Sequence, residues 1–414
     1  MPRQSLPCSP GRTDCSVPMD KKSHPWKPFF CDMHIHIGGT RSGRPVKITA
    51  SRSMTITRIL EEASNRKGME MIGVIDAHSP EVQEELLDLI SQGEARELDA
   101  GGIAFQQTVL ILGCEVEIKE EGRGEAHFLV YLPTLAAMQA FTRWLSARCK
   151  NVHLSSQRIH ASIQDLQEIA SELGGTVVPA HIFTPHKGLY GSCTDSMREV
   201  MNPGLVEAVE LGLSANTQMA DQISELWDKT FLTNSDAHSL GKIGREYQSI
   251  LMAERSYTEW RKALKREDGR GVLVNYGLSP QLGKYHLTAC QGCQTLLPPD
   301  SSLRCPVCGF KRVVRGVAAR IEQLADRELG QHPSFRPPYV EQVPLEFIPG
   351  VGPKLLQKLY ATFGTQMDVL HRASEQDLAD VTGEKIAALI VRAREGGLAV
   401  QAGAAGTYGR IVDR

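Results

Sequence analysis

The sequence lacks a strong charge excess, a long apolar run and a large aromatic content. Its formal net charge of −2 at pH 7 excludes a protein that holds nucleic acid mainly by bulk positive charge, so any such contact must be local. No apolar run approaches the roughly 20 residues that span a bilayer, and the N-terminus has no apolar stretch typical of a secretory signal. We therefore expect a cytoplasmic protein, monomeric and without a membrane partner.

Aromatic residues make up 6% of the chain, but hydrophobic residues at 41% and charged residues at 23% are ordinary for a folded protein. A length of 414 residues exceeds what one hydrophobic core usually serves, which predicts two or three domains. From about residue 29 to 250, short apolar runs such as Met71–Ile75 and Thr176–Pro179 alternate with segments of helical spacing such as Ile163–Leu173. This alternation predicts an α/β domain with a mainly parallel sheet.

Histidines and carboxylates stand at the C-terminal ends of the apolar runs, or just beyond them. Asp32, His34 and His36 open this set, and the i, i+2 spacing puts both imidazoles on one face of an extended segment, where they can grip one cation. Any single member could be a solvated loop residue or a hydrogen-bonded core histidine. So many at successive strand ends favour a metal site, because such groups are costly to bury without metals or partners. The other members are Asp76, His78, Glu115, His127, His181, Asp236 and His238.

The motifs around these residues resemble the polymerase-and-histidinol-phosphatase (PHP) superfamily. They are DMHIH at 32–36, VIDAH at 74–78, GCE at 113–115, EAHFLVY at 125–131, PAH at 179–181 and NSDAH at 234–238. The resemblance implies a distorted (βα)7 barrel that carries two or three divalent ions of Zn, Mn or Mg. Many relatives have adjacent Asp and His where this chain reads Asp76-Ala77-His78. The implied ligands are His34, His36, Glu115 and Asp236 for one metal, Glu115, His127 and His181 for a second, and Asp76, His78 and His238 for a third.

Clustered divalent cations would lower the pKa of a bound water and neutralise phosphate oxygens, so the resemblance implies phosphoester hydrolysis. Its implied catalytic residues are His34, His36, Glu115 and Asp236. Asp32 could instead orient the histidines from behind without touching a metal. A nearby Arg or Lys would complete the charge clamp on the phosphate, and the nearest to the motifs are Arg41, Lys47 and Lys187. Each of these is expected to be an ordinary surface cation.

Two Cys-x2-Cys knuckles predict a structural zinc site, because four thiolates close a tetrahedral coordination sphere. The alternative, a pair of disulfides, is disfavoured by an intracellular location. Lys311 and Arg312 follow the second knuckle and give a basic edge that could meet phosphates or could be a solvated turn. The four predicted zinc ligands are Cys290, Cys293, Cys305 and Cys308.

The segment Phe347–Lys354 resembles the helix-hairpin-helix motif, in which a glycine-containing turn presents backbone amides to a phosphate. A second, degenerate copy runs from Ser374 to about Glu395. Alternatively, the PGVG turn only joins two core helices. The candidate DNA-binding residues of the first copy are Gly350, Val351, Gly352 and Lys354.

A barrel of this kind, a cysteine module and a helical domain in this order resemble the endonuclease Q family over residues 29 to 396. The resemblance implies cleavage of DNA 5′ to deaminated bases (uracil, hypoxanthine and xanthine) or abasic sites, with a sliding clamp as a candidate recruiting partner. A base turned out of the helix needs a pocket. Its candidate walls are Phe183, Tyr190, Gly212, Leu213 and Ser214.

Two other functions stay open: another phosphoesterase of the superfamily, such as a 3′-exonuclease or a small-molecule phosphatase, and a non-catalytic DNA-binding protein. A phosphatase has no need of the cysteine module and the helical domain, and the near-complete ligand set speaks against a non-catalytic protein. The predicted domains are a disordered leader at 1–28, the PHP barrel at 29–278, the zinc module and linker at 279–336, the helix-hairpin-helix domain at 337–398 and a flexible tail at 399–414.

Overall fold

The structure, a computed structural model, describes residues 26–301, 304–397, 400–404 and 406–411. Its strands are β1 (Lys27–Ile35), β2 (Met71–Val74), β3 (Arg96–Glu97), β4 (Ile103–Phe105), β5 (Thr108–Lys119), β6 (Glu125–Leu132), β7 (Thr176–Pro179), β8 (Ala208–Glu210), β9 (Thr230–Leu232), β10 (Tyr247–Met252), β11 (Gly271–Gly277), β12 (Ala289–Cys290), β13 (Val313–Val314), β14 (Tyr339–Glu341), β15 (Val400–Gln401) and β16 (Arg410–Ile411). Its α-helices are α1 (Ile56–Glu61), α2 (Pro80–Ser91), α3 (Leu135–Ser146), α4 (Ile163–Glu172), α5 (Thr217–Ala220), α6 (Tyr257–Lys265), α7 (Val317–Leu324), α8 (Pro353–Phe363), α9 (Gln366–His371), α10 (Glu375–Thr382) and α11 (Glu384–Arg394).

Seven strands form the barrel wall. Strand β2 lies parallel between β1 and β5, and β6 lies antiparallel between β5 and β7. Strand β8 packs beside β7 and pairs in parallel with β9, and a parallel bridge between Ile35 and Ala237 returns the ring to β1. The predicted distorted barrel is confirmed, but its sheet is mixed rather than mainly parallel. Because only residues 120–124 connect β5 to β6, these two strands must run antiparallel.

Apolar patterning explains how helices cover this wall. In α2, Val82, Leu86 and Leu89 recur at i, i+4 and i+7 and are buried. Strand β5 is buried from Thr108 to Ile118, as expected for a strand covered on both faces. Polar side chains can therefore reach solvent only near the strand ends, where barrels of this kind build their sites.

Near both ends of the chain, regular structure extends beyond the limits predicted for the folded domains. Strand β1 begins inside the predicted leader, because Lys27 and Pro28 pair with Met252 and Leu251 on β10; residues 1–25 lie outside the described residues. In the predicted flexible tail, β15 pairs with β16, and the backbone amides of the tail bond to residues 281–284. The described part of this tail is therefore ordered against the body of the protein.

Helices α8 to α11 form the C-terminal helical region, as the sequence predicts. Helix α9 docks on the barrel through His371, which stacks on Phe30 with ring centroids 4.6 Å apart and lies 2.7 Å from the Tyr247 hydroxyl. None of the helices among the described residues is both long enough and apolar enough to cross a bilayer.

Candidate active site

Two histidines near the end of β1 each direct one ring nitrogen toward the carboxylate of Asp236. Both are fully buried. The Nδ1 atom of His34 donates to Glu210 at 2.9 Å, and Nδ1 of His36 donates to Asp76 at 3.1 Å. Their Nε2 atoms are buried without a hydrogen-bond partner in the described part of the chain. A carboxylate that fixes one ring nitrogen while the other is left for a cation is the usual environment of a histidine metal ligand.

Two carboxylates converge on these free nitrogens. The Oδ1 atom of Asp236 lies 3.4 Å from both Nε2 atoms, and the two Glu115 oxygens lie 3.7 Å from the Nε2 atoms of His34 and His36. Asp236 adopts a φ of +46°, in the left-handed region that residues other than glycine rarely occupy. Strain of this kind persists only where the surroundings enforce it, and it is common at functional sites.

Glu115 also belongs to a second group. Its Oε1 atom accepts a hydrogen bond from His127 Nδ1 at 2.9 Å and lies 3.5 Å from His181 Nε2. A third group consists of His36, Asp236 and His238, and the ligand atoms within each group lie within 4.8 Å of one another. The structure thus brings together seven of the nine predicted barrel ligands around Glu115 and Asp236.

The pKa values of Glu115, Asp236 and His34 are strongly shifted by their charged neighbours. Burial acts to raise the pKa of the Glu115 carboxyl, but His127 and other cationic neighbours hold it well below its usual range. Asp236 behaves in the same way, with His34 as its strongest charge partner. Burial acts to lower the pKa of His34, yet Glu210 and Asp236 raise it to about 10. The Glu115 carboxylate, with 1% of its side chain exposed, needs cations beside it when it is ionised, and divalent metals would supply that charge. The residues therefore fit a metal cluster.

Two predicted ligands of a third metal lie outside these groups. Asp76 sits behind His36, where it accepts the Ile37 backbone amide at 2.7 Å as well as the imidazole. The Nε2 atom of His78 donates to the Leu154 carbonyl at 3.3 Å. Asp76 thus supports His36 from behind, whereas Nδ1 of His78 is buried without a hydrogen-bond partner among the described residues, so the assignment of both residues to a third metal stays a prediction.

Asp32 also stands behind the ligands. Its carboxylate accepts the backbone amides of Ser235 at 3.1 Å and Gly244 at 2.9 Å. These bonds tie β1 to the turn that carries Asp236. The alternative role considered for Asp32, orienting the ligands without touching a metal, agrees with this position.

A pocket of about 440 Å³ opens above the cluster. Gly212, Leu213 and Ser214 line it, together with Thr184 and Tyr285. A methyl group on Gly212, which has a φ of +77°, would lie 2.8 Å from His181 Cβ, so glycine is required for the close approach.

Phe183 and Tyr190, the predicted aromatic walls, lie in the core instead. Their rings stack on each other with centroids 5.8 Å apart, and both side chains are buried. The Tyr190 hydroxyl donates to Glu225 at 2.7 Å, which fixes the ring away from the pocket. An apolar body with a satisfied polar tip is the common environment of a buried tyrosine.

The four predicted zinc ligands form a separate sulfur cluster. The Sγ atoms of Cys290 and Cys308 are 3.6 Å apart, and those of Cys293 and Cys305 are 3.8 Å apart. These distances exclude disulfides between those partners, since an S–S bond measures about 2.05 Å. A tetrahedron with Zn–S bonds of about 2.3 Å has edges of about 3.8 Å. The cluster therefore fits one tetrahedral zinc ion.

No protein-family model matches this chain. It is similar to the uncharacterized protein YqxK of Bacillus subtilis, with 52% identity over 387 residues that cover 93% of this chain and 99% of that protein. Among solved structures it is similar to the lesion-specific endonuclease PfuEndoQ from Pyrococcus furiosus, with 32% identity, a TM-score of 0.80 and coverage of 93% of this chain and 95% of that one.

A second solved structure is a complex of Endonuclease Q with a 27-mer duplex substrate that carries an abasic lesion at the active site. It shares 31% identity and a TM-score of 0.81 with this chain, and the match covers 94% of this chain and 97% of that one. The chain belongs to the endonuclease Q family. The predicted family is thereby confirmed, and so is the predicted class of enzyme, a metal-dependent nuclease.

This endonuclease Q family member presents the predicted hairpin at its surface. Gly350, Gly352 and Lys354 are exposed, whereas the Val351 side chain is buried and its backbone amide donates to the Ile348 carbonyl at 3.0 Å. Helix α8 has no acidic residue in its first turn. The second copy, between α10 and α11, has Glu384 at that place. Because a carboxylate there repels phosphate, the first hairpin is the better anion site.

Three residues of this endonuclease Q site were missed or misjudged from the sequence. Glu210 orients His34, Glu117 accepts Lys187 at the pocket wall, and Lys47 donates to Glu115 at 3.1 Å. Lys47, expected at the surface, has only 14% of its side chain exposed. Glu210 directly ends a short apolar strand, which was the one available signal for it.

Proposed function

We propose that this protein is a DNA repair endonuclease that hydrolyses the phosphodiester 5′ to deaminated bases (uracil, hypoxanthine or xanthine) or abasic sites. The observation that carries the proposal is the convergence of the unpartnered Nε2 atoms of His34 and His36 with Glu115 and Asp236 beneath an open pocket. Family membership supports it, because a relative of the same fold binds duplex DNA with an abasic lesion at its active site.

The ligand groups suggest how the residues divide the work. His34, His36, Glu115 and Asp236 would hold one divalent ion, and Glu115 would share a second with His127 and His181, while His238 offers a ligand for a third. Divalent ions at such a site, whether Zn, Mn or Mg, would lower the pKa of a water and neutralise phosphate oxygens. Glu210 and Asp76 orient the two β1 imidazoles, and Lys47 adds a cation beside Glu115.

The pocket is proposed to take the base or the empty sugar turned out of the duplex, since neither is accessible in the stack. Gly212, Leu213 and Ser214 would form its wall. The first hairpin, with the backbone amides of Gly350 and Gly352 and with Lys354, would bind a phosphate further along the duplex. Lys311 and Arg312, both exposed on the zinc module, are proposed as additional phosphate contacts.

The test is incubation of the full chain with an end-labelled duplex that carries one deoxyuridine, deoxyinosine or abasic site, with Mg²⁺ or Mn²⁺. We expect one nick on the 5′ side of the lesion and no cleavage of the undamaged duplex of the same sequence. Intact lesion duplexes together with rapid hydrolysis of a phosphomonoester would establish a phosphatase instead. Progressive shortening from the 3′ end would establish an exonuclease.

A further inference from the structure

The C-terminal strap, residues 400–404 and 406–411, packs against the wall of the active-site pocket. Its residue Ala404 forms a β-bridge with Leu287, and three of its glycine amides donate to carbonyls of residues 281–284. These bonds are Gly403 to Gln281 at 2.6 Å, Gly406 to Lys284 at 3.0 Å and Gly409 to Leu282 at 3.0 Å.

The glycines of the strap are required for this approach. A methyl group on Gly403 would lie 2.7 Å from the Gly283 carbonyl oxygen, and one on Gly409 would lie 2.9 Å from the Gln281 carbonyl oxygen. Real side chains do not tolerate such distances to backbone atoms. The glycine content of this segment therefore reflects close packing against residues 281–284.

The segment that the strap covers belongs to the pocket. Lys284 and Tyr285 line the pocket beside Ser214. Gly283 packs so tightly on this wall that a methyl group there would lie 2.6 Å from the Leu213 carbonyl oxygen. The strap therefore packs on the side of residues 281–284 that faces away from the pocket, and Lys284 and Tyr285 line the pocket itself.

Tyr408 links the strap to two charged groups. Its ring lies 4.6 Å from Lys284 Nζ, within the range of a cation–π contact. Its hydroxyl accepts Arg245 Nη1 at 3.2 Å, while Arg245 Nε donates to the Ser235 carbonyl at 2.8 Å. Ser235 directly precedes Asp236, the ligand with the strained backbone. One tyrosine therefore supports both the pocket cation and the turn of a metal ligand.

We propose that Tyr408 is a positioning residue: its ring holds Lys284 toward a phosphate of the bound DNA, and its hydroxyl, through Arg245, holds the Asp236 turn. This inference rests on the proposed function. The two contacts have separate consequences, because a lost phosphate contact weakens binding and reduces its salt dependence, whereas a loosened ligand turn slows the chemistry.

The test compares Tyr408→Ala, Tyr408→Phe and Lys284→Ala with the wild type on an abasic-site duplex. Tyr408→Ala and Lys284→Ala should each raise KM about tenfold and reduce the slope of log Kd against log salt by about one, and the double variant should show no larger change in KM or in slope than either alone. Tyr408→Phe keeps the ring, so it should keep KM and slope but lower kcat a few-fold. Phe335→Ala, which removes a ring 3.9 Å from Arg266 elsewhere, should leave all three values unchanged.

Limited trypsin digestion gives a readout that does not depend on cleavage activity. The bond after Lys284 should be cut about tenfold faster in Tyr408→Ala and in a chain that ends at residue 398, because the strap no longer shields it. An unchanged digestion rate, or unchanged KM and salt slope in Tyr408→Ala, would overturn the proposal even if the wild type cuts lesions. A wild type that cuts no lesion but shows this protection would overturn the proposed function alone.

Discussion

The barrel cluster and the cysteine cluster hold metal ligands in opposite ways. The barrel ligands are imidazoles and carboxylates from strand ends far apart in the chain, and they meet under an open pocket. The cysteine ligands are four thiolates close together in the chain, and they surround one point with no place for a fifth partner. Only the barrel cluster can therefore do chemistry, because it leaves room for a substrate, whereas the sulfur cluster stabilises a small module.

The variant with the largest expected effect is Asp236→Asn, which removes the charge of a predicted barrel ligand without changing the size of the side chain. We expect the cleavage rate to fall on the order of 10⁴-fold, as when a residue of a catalytic unit is lost, with duplex affinity nearly unchanged. Single-turnover cleavage and filter binding would measure the two effects. Asp228→Asn, which alters an exposed carboxylate, is the control. Retained activity in Asp236→Asn would remove Asp236 from the metal site.

How well each cluster could be predicted follows from the same contrast. Cysteine spacing alone predicts the sulfur cluster, since the knuckles are local. The barrel motifs predict which residues stand at strand ends, but not how each side chain is rotated. Asp76 and His78 follow β2 as expected, yet Asp76 faces the back of His36 and His78 faces a carbonyl. Only the tertiary packing decides this.

A smaller effect is expected for Asp76→Asn, because Asp76 orients His36 from behind. Loss of such a carboxylate typically costs about 10 to 100-fold in activity or metal affinity. Titration of cleavage with Mn²⁺ should show a weaker apparent affinity that excess metal partly restores. A loss as complete as that of Asp236→Asn, without rescue, would show that Asp76 is itself a ligand.

Burial and close packing account for the other differences from the sequence predictions. Phe183 and Tyr190 were suited to stack on a base, but the Tyr190 hydroxyl is held by Glu225 and Phe183 stacks on Tyr190, and no local sequence pattern reveals these contacts. The C-terminal strap is rich in glycine and alanine, a composition that fits a flexible tail and a tightly packed backbone equally well. The barrel, the cysteine cluster and the helical C-terminal region could each be predicted because each has its own local motif.

Removal of the cysteine-bound metal should affect binding more than chemistry. Cys293→Ser should lose one zinc equivalent by elemental analysis and raise the Kd for duplex DNA about tenfold, since the basic edge of the module would lose its shape. We expect kcat to change less than about threefold. Cys149→Ser, at a free cysteine outside the cluster, is the matched control. A loss of kcat comparable to that of a barrel ligand would contradict a purely structural role of the cysteine cluster.

The smallest expected effect is a loss of stability in acid that arises at His371, away from both clusters. Burial, together with Arg394 and Arg372, lowers the pKa of His371 to about 4. In the unfolded chain the His371 imidazole binds a proton near pH 6.5, whereas in the folded chain it stays neutral until about pH 4. The contribution of this histidine to the free energy of unfolding is therefore fully present above pH 6.5 and is lost as the pH falls toward 4. After discounting for partial exposure, we expect about 1 kcal/mol between pH 7 and 5. Urea unfolding of the wild type and of His371→Gln at pH 7 and pH 5 measures this contribution. Proton uptake by the metal ligands is the same in both proteins, so it cancels when their free energies of unfolding are subtracted. Equal pH dependence in both proteins would place the acid sensitivity in the clusters alone.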